Sequence, residues 1–187
     1  MLTLEKAHEE HREKRKGYMR DYMYKYRKRN VGYAFVVGDL LHYGHLHFLK
    51  ECKKCCDFLI VGVYVDKLVE SYKRKPIIPF EERIELVQSL RIVDLVVTVH
   101  NRNCSVMLKK LSDDGWKIKY LFHGTDWDLK KDKDLQESKL FVESIGGTLV
   151  QPEYYEGRTT SSIIKELLER YKNGEDVVGK QNENRNP

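Results

Sequence analysis

YAFVVGDLLHYGHLHFLKECKKCCDFLIVGVYV, residues 33–65, carries the pattern on which the fold turns. YAFVVG (33–38) is a short apolar run closed by a glycine and reads as a strand. HLHFLKECKKCC (45–56) spaces its apolar residues as a helix does, and DFLIVGVYV (57–65) is apolar throughout. A continuous apolar run suits a strand buried on both faces of a parallel sheet.

The alternation continues downstream. ESYKRKPII (70–78) is a basic loop, and PFEERIELVQSLR (79–91) is a helix. Pro79 stands at its start, where a missing N–H costs little. VDLVVTV (93–99) is a third strand, 105–113 a helix, and IKYLFHG (118–124) a fourth strand. KDLQESKLFVESIGG (133–147) is a helix ended by glycine, and TLVQP (148–152) a fifth strand. Residues 160–171 close the pattern as a helix, with Ile163, Ile164, Leu167, Leu168 and Tyr171 on its expected core face. Strands alternating with helices predict an α/β sandwich with a five-stranded parallel sheet and helices on both faces. Ligands of such sheets bind at the carboxyl ends of the strands. The loops at 38–45, 66–79, 100–104, 123–132 and 152–160 are therefore the ones to search.

The chain of 187 residues fits one domain, 31–172, between a basic, tyrosine-rich helical or flexible arm (1–30) and a polar, disordered tail (173–187). A net charge of +5 and a pI near 8.9 suit phosphate-bearing ligands but fall short of a dedicated nucleic-acid binder. No apolar run is long enough to span a membrane, and the N-terminus lacks a signal peptide's apolar segment. The expected location is the cytoplasm. Three of the four cysteines, Cys52, Cys55 and Cys56, are crowded together, unlike a disulfide framework.

Within the opening stretch, Gly38 ends the first strand, Asp39 follows, and His42-Tyr43-Gly44-His45 stands at the mouth of a helix. Helix N-termini attract anions, and Gly44 lets a phosphate approach the backbone. Imidazoles three apart share one face of the first turn and can both donate to one oxyanion. Zinc is disfavoured, because Cys52 and Cys55 fall inside the helix, whereas structural zinc ligands usually come from loops or knuckles. Cys52 and Cys56 read as small core residues, and His47 as a surface residue.

DLLHYGH (39–45), GVYVD (62–66), SYKRKPIIPFEERIELVQSLRIVDLVV (71–97), LFHGTDW (121–127) and EGRTTSSII (156–164) occur in that order. Together they resemble the HxGH nucleotidyltransferase superfamily, in particular the cytidylyltransferases. The resemblance implies a Rossmann-like three-layer sandwich. It also implies transfer of CMP from CTP to a small phosphorylated or phosphonylated alcohol or amine, with release of pyrophosphate. Glycerol 3-phosphate, ethanolamine phosphate, choline phosphate and 2-aminoethylphosphonate are the acceptors it suggests. Transfer of AMP from ATP onto FMN, as in FAD synthetases, is the alternative within the class. Outside it stands a non-catalytic module binding nucleic acid or a membrane surface through the arm.

The implied roles are these. His42 and His45 bind the triphosphate and stabilise developing charge, and Lys73 clamps the α-phosphate, with Arg74 or Lys75 in reserve. Val37, Gly38, Asp39, Gly44, His123, Gly124 and Asp126 surround the nucleotide. Arg158, Thr159, Thr160 and Ser161 hold the β- and γ-phosphates. Asp39, Asp66, Arg83 and Tyr154 face the acceptor. Mg2+ arrives through the phosphates without a protein side-chain cage, and a homodimer is expected. Val37 departs from the family pattern, which carries a hydroxyl there, and Tyr154 stands where an arginine is usual.

Overall fold

In the computed structural model the described residues are 21, 24–25, 29–125, 130–153 and 155–177. Most of the arm, the end of the tail, and Asp126, Trp127 and Tyr154 lie outside them. In chain order the elements are β1 (Val31–Val36), α1 (Tyr43–Cys55), β2 (Phe58–Tyr64), α2 (Asp66–Glu70), α3 (Phe80–Gln88) and β3 (Leu95–Val99). They continue with α4 (Cys104–Asp113), β4 (Ile118–Phe122), α5 (Lys133–Ser144), β5 (Thr148–Val150) and α6 (Thr160–Lys172). The five strands form one parallel sheet in the order β3-β2-β1-β4-β5. The expected Rossmann-like α/β architecture is therefore the observed one.

Residue parity decides which face of the sheet each side chain covers. Val31 and Tyr33 of β1 and Phe58 and Ile60 of β2 pack with Leu108 and Leu111 of α4 and Val142 of α5. Their neighbours Ala34, Val36, Leu59, Val61 and Val63 pack on the opposite side with Leu49 and Cys52 of α1 and Val87 of α3. Cys52 and Cys56 are core residues, as expected, each thiol within that second cluster. The chain leaves β1 towards β2 on one side and later returns to β4 on the other. The crevice at the carboxyl end of β1 is thus the switch point where ligands of such sheets bind.

Three expectations change. Strand ends recede by one or two residues, so that Val37 and Gly38 belong to the loop after β1. The first part of the second loop coils into α2. On α6 no residue is buried: Leu167, Leu168 and Tyr171 are 47%, 54% and 70% exposed. The sheet faces are already covered by α1, α3, α4 and α5, which leaves α6 no core to enter.

Candidate active site

β1 is followed by a tight loop. Gly38 adopts φ 73° and Leu40 φ 47°, both left-handed, and the turn delivers His42 as the N-cap of α1. The His42 Nδ1 accepts the Gly44 N–H at 3.0 Å, and the His45 Nδ1 accepts the His42 N–H at 3.4 Å. Two histidines thus form a reciprocal capping box, a task usually given to Ser or Thr with Glu or Gln. The consequence is chemical. With each Nδ1 accepting, a neutral ring carries its proton on Nε2.

Burial, then the positive charge of Arg158, lowers the pKa of His42. Burial, followed by His42 beside it, brings His45 down to about 4, against an upward pull from Asp39. Both rings are therefore neutral hydrogen-bond donors near pH 7, with centroids 4.0 Å apart. His42 Nε2 lies 3.3 Å from the Thr160 hydroxyl, which donates at 2.9 Å to the Asp39 carbonyl. This joins α1 to the N-terminus of α6. Among the described residues the Nε2 of His45 has no protein hydrogen-bond partner.

Gly44 has a second reason to be glycine. A Cβ there would sit 2.9 Å from the Arg158 carbonyl and 2.9 Å from the His42 ring. The space is taken by the loop before α6 as much as it is kept for a ligand.

Asp39 is 3% exposed, and its carboxylate accepts the N–H groups of Ile77 and Ile78 at 3.0 Å and the Arg74 guanidinium at 2.8 Å. Burial would raise its pKa, but these three donors outweigh it and hold the carboxyl below its usual range. Asp39 therefore tethers the basic loop to the histidine loop, and Arg74 is committed to that tether. Lys73 lines the cavity with its ammonium 5.7 Å from the Tyr72 ring centre and makes no ion pair among the described residues.

Arg83 and Asp66 were expected to face the acceptor, but neither lines the cavity. Arg83 is fully buried and donates to the carbonyls of Ile78, Val37 and Tyr64 and to the Asp66 carboxylate. Asp66 also accepts the Phe80 N–H at 3.2 Å. The pair ties the ends of β1 and β2 to the start of α3. Four of the guanidinium's five N–H donors are spent on these carbonyls and the Asp66 carboxylate.

At the far side His123 is 6% exposed, with its ring edge-on to Phe35 at 5.0 Å. Thr159 caps α6 reciprocally with Ser162, and Arg158 pairs with Glu166 at 3.3 Å. Thr160 is committed to His42 and Asp39, so Ser161 is the hydroxyl of this group with no protein partner among the described residues.

The expected residues His42, His45, Lys73, Val37, Asp39, Gly44, His123, Gly124, Arg158, Thr159, Thr160 and Ser161 meet in one cavity of about 550 Å³. Gly38 shapes the loop without lining it, while Asp126 and Tyr154 lie outside the described residues. Sequence reasoning missed much of the remaining wall, Phe35, Tyr64, Phe48, Val69, Tyr72 and Tyr155 among it. The first two sit at the carboxyl ends of strands, a position that could have marked them. His47 also departs from expectation. It is half-buried and packs with Tyr43 and Tyr155 at ring distances of 6.0 and 5.5 Å.

Two helix N-termini, two neutral imidazoles, hydroxyls and cations line one crevice, a chemistry suited to phosphate. The Cytidylyltransferase-like family model matches residues 37–167. The bifunctional protein HldE of Syntrophotalea carbinolica is 30% identical over 83% of this chain, which spans only 31% of that protein's length. The FAD synthase of Methanopyrus kandleri is 33% identical over 74% of this chain and 92% of its own. The ethanolamine-phosphate cytidylyltransferase of Arabidopsis thaliana is 33% identical over 54% of this chain and 24% of its own. The crystal structure of the lipopolysaccharide core biosynthesis protein from Thermoplasma volcanium superimposes with a TM-score of 0.54 at 28% identity, over 70% of this chain and 99% of that one.

Proposed function

Given that the chain belongs to the cytidylyltransferase-like family, we propose that it transfers a nucleoside monophosphate from a nucleoside triphosphate to a phosphate-bearing acceptor. An acceptor phosphate oxygen attacks the α-phosphorus, the bond from that phosphorus to the bridging oxygen breaks, and the electron pair leaves on pyrophosphate. Such a reaction needs positioning and charge stabilisation more than a protein nucleophile. The observation that carries the reading is the pair of neutral imidazoles at the α1 N-terminus, with Nδ1 atoms fixed by backbone N–H groups. The free Nε2–H of His45, and that of His42 once it turns from the Thr160 hydroxyl, donate to oxygens that gain charge in the transition state. Lys73 neutralises the α-phosphate. Ser161, the α6 N-terminus and Arg158 receive the β- and γ-phosphates, and His123 and Gly124 border the base.

Asp39 and Asp66 have their carboxylates engaged, and no three metal-ligating side chains gather among the described residues. Mg2+ fits this site as a passenger on the triphosphate, where it would screen phosphate charge.

Two finer readings stand together. CMP transfer from CTP to a small phosphorylated alcohol or amine is supported by LFHGTDW in the sequence and by the ethanolamine-phosphate relative. AMP transfer from ATP to FMN is supported by FAD synthases matched over nearly their whole length. The test follows pyrophosphate and the coupled product with each nucleoside triphosphate, Mg2+ and a panel of glycerol 3-phosphate, phosphoethanolamine, 2-aminoethylphosphonate and FMN. Release with one pair, abolished in His45→Ala, is expected. No release from any pair by the folded protein overturns the reading.

A further inference from the structure

Lys73, the cation assigned to the α-phosphate, sits one turn beyond the short helix α2. The Tyr72 and Lys73 N–H groups donate to the Val69 carbonyl at 3.2 and 2.9 Å. Further along, Asp39 holds Arg74, Ile77 and Ile78. The far end of the basic loop is therefore fastened to the histidine loop. The near end has a different anchor, and it comes from outside the cavity.

Arg102 stands in the loop after β3 and does not line the main cavity. Its guanidinium carbon lies 5.3 Å from the centre of the Tyr72 ring, and the Lys73 ammonium lies 5.7 Å from the same ring. The guanidinium nitrogens also meet Asp132 at 2.8 Å and Asp134 at 3.6 Å. Asp132 is the N-cap of α5, where its carboxylate accepts the Leu135 N–H at 2.9 Å. Beside Arg102, Asn103 caps α4 by accepting the Ser105 N–H at 2.9 Å and donates to Glu137 of α5 at 2.5 Å. Arg102 thus projects from a base fastened to two helices and reaches an aromatic ring of the basic loop.

The residue type suits that span. A guanidinium is planar and can offer a face to a ring and N–H donors to carboxylates at once, whereas a lysine ammonium is a point charge. The Tyr72 phenol stays neutral, because burial pushes its pKa up to about 12 against the pull of Arg102 and Arg83. Its π face remains available to both cations. Lys73 in turn is near enough to His45 for its charge to add to burial and His42 in lowering that pKa.

We infer that Arg102 is a positioning residue for the proposed transfer: it holds the Tyr72 ring, and through that ring it places the Lys73 ammonium. Asp132 extends the same tie to the start of α5, just beyond the loop that carries His123 and Gly124. The inference rests on the nucleotidyl-transfer reading and adds to it a residue that touches no substrate.

Amide hydrogen exchange on the full-length protein tests the tie without a substrate. Arg102→Gln should speed exchange at Tyr72 and Lys73 by about tenfold, the scale of one partly desolvated cation–ring contact. The Ile77 and Ile78 amides, which Asp39 holds, should stay within about twofold. In turnover with the pair that releases pyrophosphate, the same variant should lower kcat by about tenfold and leave KM for the nucleotide within about twofold. Arg102→Lys should recover only about threefold of that loss, since it keeps the charge and gives up the plane. On a Lys73→Ala background, Arg102→Gln should cost less than about twofold, because the group it places is gone. Tyr72→Leu keeps an apolar side chain in the wall, spares the Arg102–Asp132 pair and should reproduce both losses. It keeps the proposal testable if Arg102→Gln fails to fold.

Faster exchange at Leu135 with Tyr72 and Lys73 unchanged would make Arg102 a brace of α5 alone and overturns the assignment. A rise in KM with kcat unchanged, complete recovery by Arg102→Lys, or an undiminished Arg102→Gln effect without Lys73 overturns it too. Unchanged exchange at Lys73 beside normal pyrophosphate release removes the tie and keeps nucleotidyl transfer. Faster exchange at Lys73 in a protein that releases no pyrophosphate from any pair keeps the tie and removes the transfer.

Discussion

Replacing Arg83 with Met should cost about 4 kcal/mol of stability. The side chain is completely buried, and its loss strands the carbonyls of Ile78, Val37 and Tyr64 together with the Asp66 carboxylate. Removing one partner of a buried ion pair costs about 3–5 kcal/mol. The 30% exposure of the Asp66 side chain lets water return to it and favours the lower end. Each orphaned carbonyl adds on the order of 1 kcal/mol where water cannot follow. At about 2–4 °C per kcal/mol for a chain of this size, the melting temperature should fall by roughly 8–16 °C. Urea unfolding measures the loss directly, provided the dependence on denaturant keeps its slope. Arg83→Met with Asp66→Leu should recover at least about 1 kcal/mol, because the uncompensated carboxylate is gone. A single variant that loses under about 1 kcal/mol while its KM for the acceptor rises would refute the bracing role and return Arg83 to the substrate.

Lys73→Ala should lower kcat/KM for pyrophosphate release by about 100-fold, as loss of a transition-state charge partner does. Arg74→Ala should cost less than about tenfold, since the Ile77 and Ile78 N–H groups still hold Asp39; equal effects would contradict the division of labour. Gly44→Ala should destabilise by about 1–3 kcal/mol despite alanine's better helix propensity, because the new methyl meets the Arg158 carbonyl and the His42 ring. A gain in thermal stability would count against that packing. His45 makes stability pH-dependent. Its folded pKa of about 4 lies below the unfolded value of 6.5, so between them the unfolded chain binds the proton first. The contribution is whole above about pH 6.5 and drains as pH falls towards 4, by about 3 kcal/mol. Wild type should lose that much more than His45→Gln between pH 7 and 4 in urea titrations, and matching losses would sink the argument.

The order of strands and helices was legible because alternation and spacing are local properties of the chain. Val31 to Val36 and Phe58 to Tyr64 carry their burial in their composition. His42 and His45 were legible for the same reason, since three residues on one helical turn need no distant partner. The bracing role of Arg83, read from the sequence as facing the acceptor, was not, because only the fold brings the Val37 and Tyr64 carbonyls at the ends of β1 and β2 to it. Leu167, Leu168 and Tyr171 misled in the opposite sense. Their spacing describes a core face, but whether a core is left to cover depends on what α1, α3, α4 and α5 have already occupied. The wall at Tyr64 and Tyr72 joins the end of a strand to a loop beyond α2, a juxtaposition set by the turn between them.

The rings that terminate α1 are also the rings proposed to meet the nucleotide, so one pair of side chains answers to two selections. Serine or aspartate at position 42 would cap the helix at least as well, with a gain of the order of 0.5 kcal/mol, and would present no Nε2–H to a phosphate. A search for heat-resistant variants without a functional screen should therefore drift at this residue towards folded, inactive molecules. Engineering for robustness has to leave the helix start alone and draw its gains from the unburied side of α6.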